Sequence, residues 1–128
     1  MIVDSDILIW YLRGNQRAKS FLESLSFADR QLSILSVMEL YQGARNKKEL
    51  TEIRRFWINH FSEVCPIREE ISSLAADLIY DHALPSGLRS GDAIIAATAL
   101  FHKVPLATAN VKHFRSISGL QIHTFRPD

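Results

Sequence analysis

Residues 1–15 of the chain read MIVDSDILIWYLRGN. Met1 to Val3 are apolar and strand-like, and Ile7 to Leu12 form a second unbroken apolar run. Between the two stand Asp4 and Asp6, flanking Ser5. Both apolar segments call for burial, yet an unpaired carboxylate in a core is costly and takes up a proton instead. The aspartates must therefore sit at an opening, or a cation must offset their charge. In open α/β sheets, binding sites lie beyond the carboxyl ends of the strands, and a strand ending in carboxylates fits that plan.

The rest of the chain alternates short strand-like runs with helical patterns. AKSFLESL (18–25) sets Ala18, Phe21, Leu22 and Leu25 at helical spacing. QLSIL (31–35) reads as a second strand, followed by a helix that opens at SVMELYQGA and ends near Gly43. Residues 47–61 carry Leu50, Ile53, Trp57 and Phe61 on one helical face. Phe56 and Ile58 lie outside that stripe, so this helix is either well buried within one chain or continues into an interface. EVCPI (63–67) reads as a third strand, and residues 68–83 place Ile71, Leu74, Ala75, Leu78 and Ile79 on one helical face. LPSGLRSG (84–91) is a breaker-rich loop, and DAIIAATALFHK (92–103) is a helix apolar nearly all round, hence central. PLATA (105–109) and LQIHTF (120–125) complete the set of strands. Strands separated by helices imply right-handed crossovers. The expected fold is therefore α/β: three layers, with a mainly parallel sheet of four to five strands and helices on both faces, in one domain spanning 1–128.

Acidic and amide side chains fall where such a sheet would put a site. Asp4 and Asp6 end the first strand, Glu39 follows the second, Asp92 opens the apolar helix, and Asn110 follows PLATA. Oxygen donors delivered by separate segments to one sheet edge suit a hard divalent cation, Mg²⁺ or Mn²⁺, which keeps positions for water and substrate phosphate. The chemistry that follows is metal-assisted phosphodiester hydrolysis. Each residue also has a plainer reading. Glu39 stands three after Ser36, the spacing of a capping box. Asp92 stands at a helix start, where the dipole favours any acid. Asp6 could cap a helix starting near Ile7, and Asn110 could be a turn residue. Asp4 is hardest to explain otherwise, because no basic residue neighbours it. The joint placement carries more weight than any one residue.

Bulk properties exclude other classes. A chain of 128 residues can bury roughly two thirds of its unfolded surface without a staple. Hydrophobic residues make up 47% and charged residues 23%, outside the disordered range. The net charge of +1 is low for a protein that coats DNA. The single cysteine, Cys65, excludes an internal disulfide and reads as a small buried hydrophobe. With no basic leader and no long apolar run, the expectation is a soluble cytoplasmic protein without a membrane span. The five histidines show no paired ligand spacing, and there is no nucleophile elbow or glycine-rich phosphate loop. Of the basic residues, Arg13, Arg89 and Lys112 fall near the acids and could hold a phosphate backbone.

IVDSDILIWYLRG, SVMELYQGA, LPSGLRSGDAIIAATAL and PLATANVKHFRSISGLQIHTF resemble the successive blocks of PIN-domain proteins, and more narrowly of VapC-type toxins. The resemblance spans nearly the whole chain. It implies a PIN fold and Mg²⁺-dependent endoribonuclease activity against RNA. It also implies a homodimer and a cognate antitoxin whose C-terminal segment occupies the active-site groove. By motif, Asp4, Glu39 and Asp92 match the family's metal-holding acids. Asn110 stands at a fourth position that is frequently Asp, and as a neutral group it would bind metal more weakly or orient water. Asp6 falls where the family has a small polar residue.

Two other readings compete. DSD after a first strand resembles the Asp-x-Asp motif of haloacid-dehalogenase-type phosphatases, with Asp4 as nucleophile. Leu8, the missing second acidic pair and the short chain count against it. The third reading is a non-catalytic PIN-like module that binds RNA or protein.

Overall fold

The structure, a computed structural model, describes residues 1–128. Five short strands form one all-parallel sheet: β1 (Ile2–Val3), β2 (Gln31–Ser33), β3 (Glu63–Cys65), β4 (Leu106–Thr108) and β5 (Ile122–Thr124). Their spatial order is β3-β2-β1-β4-β5. The central strand β1 is only two residues long, and its register sets Ile2 beside Gln31 and Leu106, and Val3 beside Ala107. Because side chains alternate across a strand, each strand feeds both faces. Ile2 and Leu106 enter one core, while Val3 and Ala107 enter the other.

Helices cover both faces, as the alternation of segments predicts. On one side α5 (Glu69–Ser86) and α6 (Ser90–His102) pack over the sheet. Ala93, Ala96, Ala97 and Ala99 give α6 a small-residue surface, and all four are fully buried. On the other side lie α1 (Ser5–Leu12), α2 (Gln16–Ser24), α3 (Ile34–Gln42) and α4 (Lys47–His60), with Ile7, Leu22, Leu40 and Ile53 among the buried residues. A last short helix, α7 (Val111–Phe114), follows β4.

Several boundaries differ from the sequence expectations. Helix α1 starts at Ser5, immediately after β1, so Asp4 and not Asp6 holds the N-cap position. Strand β2 ends at Ser33, whose hydroxyl accepts from the Leu35 N–H at 3.1 Å and caps α3. The unbroken apolar run from Ile34 hides this boundary. Ser36 and Glu39 therefore lie inside a helix, and the capping-box reading of SVME fails. Helix α5 runs on through Pro85 to Ser86 and ends at Gly87, whose φ of 69° suits glycine. That shortens the expected 84–91 loop. On α4, Phe56 is buried and belongs to the core, whereas Ile58 is 54% exposed.

Candidate active site

The end of β1, the middle of α3 and the first turn of α6 bring the acids together. Asp4 is the residue at which β1 becomes α1. Its backbone N–H continues the sheet ladder to Ala107 O at 2.9 Å, and the residue is 7% exposed. The carboxylate does not cap its own helix. Instead Thr108, at the end of the adjacent strand β4, donates its hydroxyl to Asp4 Oδ2 at 2.8 Å. The same hydroxyl oxygen accepts from the Asn110 N–H at 3.0 Å. Asp6, in the first turn of α1, turns to the same place: its Oδ2 accepts from the Ala109 N–H at 3.0 Å and lies 3.4 Å from Thr108 Oγ1. One hydroxyl proton serves one acceptor, and the shorter distance assigns it to Asp4.

Glu39 reaches the site from α3. Ser5 donates its hydroxyl to Glu39 Oε1 at 3.1 Å, which ties the second acid-bearing helix to the start of the first. Gly91 lies beneath Glu39: a Cβ built there would come within 4.0 Å of Glu39 Oε2, so the turn before Asp92 passes close to the Glu39 carboxylate. Asp92 sits in the first turn of α6, where the helix dipole favours its charge. Its Oδ2 is 3.2 Å from His113 Nδ1 on α7, and that nitrogen is also 2.9 Å from Asn110 Nδ2. Protonated, Nδ1 donates to Asp92; unprotonated, it accepts from the Asn110 amide.

Electrostatics mark the cluster as short of positive charge. Burial, followed by the Asp6 charge, pushes the Asp4 carboxyl up to about 7, in spite of the Thr108 hydrogen bond. Burial also raises Asp6. It raises Glu39 as well, with the Asp92 and Asp6 charges adding to the effect. Asp6 Oδ1 is buried without a hydrogen-bond partner. An all-carboxylate donor set with an orphaned buried oxygen fits a hard divalent cation, which would supply the missing charge. The carboxylates do not close into a tight cage. The group of three metal-donor side chains whose ligand atoms all lie within 4.8 Å of one another is a different one, Glu63, Cys65 and His102.

Of the sequence-predicted residues, Asp4, Asp6, Glu39, Asp92 and Asn110 all fall at this edge. Asp6 is held by β4 and its following turn, so the expectation that it merely caps a helix near Ile7 does not stand. Arg13 ends α1 with its guanidinium 5.9 Å from the Trp10 ring centre. It lines a groove of about 540 Å³ together with Ile9, Leu12, Glu39 and Leu40. Arg89 directly precedes α6 and Lys112 lies on α7; both are exposed. Sequence reasoning passes over Ser5, Thr108 and His113 as functional groups. For Thr108 a signal exists, namely a hydroxyl ending an otherwise apolar strand.

Comparison with known proteins agrees with this geometry. The family model described as PIN domain matches residues 1–120. Over 123 residues the chain is 35% identical to Ribonuclease VapC10 of Mycobacterium tuberculosis, covering 94% of this chain and 90% of the relative. Among solved structures it resembles a toxin-antitoxin complex from Klebsiella pneumoniae, with a TM-score of 0.80, 29% identity, and 99% and 97% of the two chains covered. It also resembles FitAcB from Neisseria gonorrhoeae, with a TM-score of 0.77, 26% identity, and 98% and 96% covered. These matches leave the phosphatase reading of DSD without support. A match over residues 1–120, together with the five-stranded parallel sheet and the acids at its edge, places the chain in the PIN-domain family.

Proposed function

We propose that the protein is a Mg²⁺-dependent endoribonuclease, with Mn²⁺ as a substitute, and the toxin of a toxin–antitoxin pair acting in the cytoplasm. The observation that carries this reading is that Asp4 at the end of β1, Glu39 within α3 and Asp92 in the first turn of α6 lie together at one sheet edge. Those three residues would hold the cation, with Asp6 and Asn110 at its margin. When bound, it supplies an activated water and offsets charge on the phosphate under attack.

The chain's own residues perform the remaining tasks. Thr108 fixes the Asp4 carboxylate, and Ser5 fixes that of Glu39. Glu39 is exposed where Asp4 is buried, so its carboxylate faces the side from which substrate would approach. His113 and Asn110 hold the Asp92 side. Arg13, Arg89 and Lys112 would grip phosphates of an RNA strand without reading its sequence.

The groove beside Glu39 is the natural seat for an antitoxin segment. Ile9 and Leu12, 38% and 43% exposed, offer it apolar contacts, and Arg13 offers charge, whereas Arg45 is paired with Glu49. The similarity to a chain solved in a toxin-antitoxin complex supports that partner. Tyr80 and Leu84 on α5, 90% and 98% exposed, form apolar surface suited to a homodimer. No helix is long and apolar enough to cross a membrane.

The test is incubation of total cellular RNA with the purified protein, with and without Mg²⁺, and mapping of the new 5′ ends. The proposal expects discrete cleavage that disappears without the metal. RNA that is bound but left intact in both Mg²⁺ and Mn²⁺ would establish the non-catalytic module instead.

A further inference from the structure

We propose that Glu63, Cys65 and His102 form a second metal site, for Zn²⁺, at edge strand β3 and apart from the acids. Their ligand atoms lie within 4.8 Å of one another. Glu63 and Cys65 are alternate residues of β3, so their side chains share one face of the edge strand. Cys65 is 1% exposed, and its thiol donates to Glu63 Oε1 at 3.4 Å. His102 occupies the last turn of α6, and its Nε2 is buried with no hydrogen-bond partner. A buried ring nitrogen without a partner is rare enough to demand a reason, and an absent ligand is one.

Position separates this cluster from the active site. Asp92 and His102 lie at the two ends of α6, ten residues or about 15 Å apart along the helix. Glu63 begins β3 and is held by Gln31, which begins β2, through a 3.0 Å bond from Gln31 Nε2. The cluster thus lies on edge strand β3, which β2 separates from β1 and its acids.

Donor chemistry separates it as well. The acids offer only oxygen and suit a hard ion. Sulfur, imidazole nitrogen and carboxylate oxygen together are a zinc set. Bonds of about 2.0–2.3 Å to a tetrahedral ion would place the donors about 3.5 Å apart, the separation Cys65 and Glu63 already have, so any closure concerns His102 and is at most about an ångström. Glu63 is exposed, and giving up its Gln31 bond to solvent allows that movement. On binding, the thiol proton now shared with Glu63 leaves to solvent and a thiolate–metal bond forms, with water completing the fourth position. Burial followed by Glu63 pushes this thiol up to about 12, so the ion must displace a firmly held proton. The bound ion would pin edge strand β3 to the end of α6 and close the exposed side of the sheet.

The experiment uses the full chain stripped by a chelator and titrated with Co²⁺, then with Zn²⁺. The parent should take up Co²⁺ with a thiolate-to-cobalt charge-transfer band, lose that band as Zn²⁺ displaces it, and melt several degrees higher with Zn²⁺. Cys65→Ser should abolish the band. His102→Gln leaves the Cys65 core intact, and it should weaken Co²⁺ binding by more than the roughly tenfold expected of a mere supporting contact. The double variant Asp4→Asn, Asp92→Asn should keep the band. No band in the parent, parental affinity in His102→Gln, or loss of the band in the double variant would each overturn the proposal. None of these outcomes bears on RNA cleavage, so the two functional readings stand or fall separately.

Discussion

Thr108 Oγ1 lies 2.8 Å from Asp4 Oδ2 and bridges residues 104 positions apart in the chain. This bond joins the ends of the two central strands and orients the most deeply buried acid of the site. Thr108→Val keeps the shape but removes the donor and leaves the Asn110 N–H without its acceptor. We expect a stability loss of about 1–2 kcal/mol. We also expect a fall in RNA cleavage of roughly ten- to a hundredfold, the usual range for loss of a group that orients a ligand. Thr108→Ser should restore most of both. Cleavage rates and thermal melts of the two variants check this, and a valine variant as active as the parent would remove Thr108 from the site.

The pH dependence of stability follows from the buried carboxyls. A folded carboxyl with a raised pKa binds its proton more tightly than it does unfolded. Its stabilising effect is complete below the ordinary value and is lost as pH rises through the folded one. For Asp4 that window runs from 3.8 to about 7. Asp6 and Glu39 shift in the same direction. In chelator, the protein should therefore melt at a lower temperature at about pH 8 than at about pH 5. Added Mg²⁺ should raise the melting temperature more at the higher pH. Calorimetry across the range tests both, and a melting temperature that climbs steadily with pH would contradict the assignment.

His113 stands between Asp92 and Asn110. Its removal should loosen Asp92 without removing an acid. His113→Ala should lower cleavage roughly tenfold, the lower end for loss of an orienting partner. Asp92→Asn should abolish cleavage under the same conditions. Single-turnover rates on one RNA substrate distinguish the two, and equal loss in both variants would make His113 more than a support.

The acids are legible in the sequence because parallel sheets deliver their sites to one edge. Asp4 and Asn110 follow strands, Asp92 opens a helix, and Glu39 lies on the helix that follows β2; all of them gather there. Asp6 is less legible, since a carboxylate in a first helical turn looks the same in sequence whether it caps its own helix or reaches across to Ala109. His113 is invisible as a partner of Asp92: Asp92 comes from α6, and no spacing in sequence announces a contact between elements. The start of α3 is hidden for a local reason. From Ile34 onward the chain is apolar enough for strand or helix, and only the Ser33 cap decides where one ends. The end of α5 is misplaced because Pro85 reads as a breaker, although a proline in the last turn is tolerated when Gly87 closes the helix.

The proposal puts two demands on Asp4 at once: it would hold the cation, and it is a carboxyl that burial makes costly to ionise. The most direct test is therefore a paired measurement on Asp4→Asn: RNA cleavage in Mg²⁺, and melting temperature in chelator at about pH 8, where a raised carboxyl is ionised. We expect no cleavage above background together with a melting temperature at or above that of the parent. A variant that cuts RNA at the parental rate would contradict the assignment of Asp4.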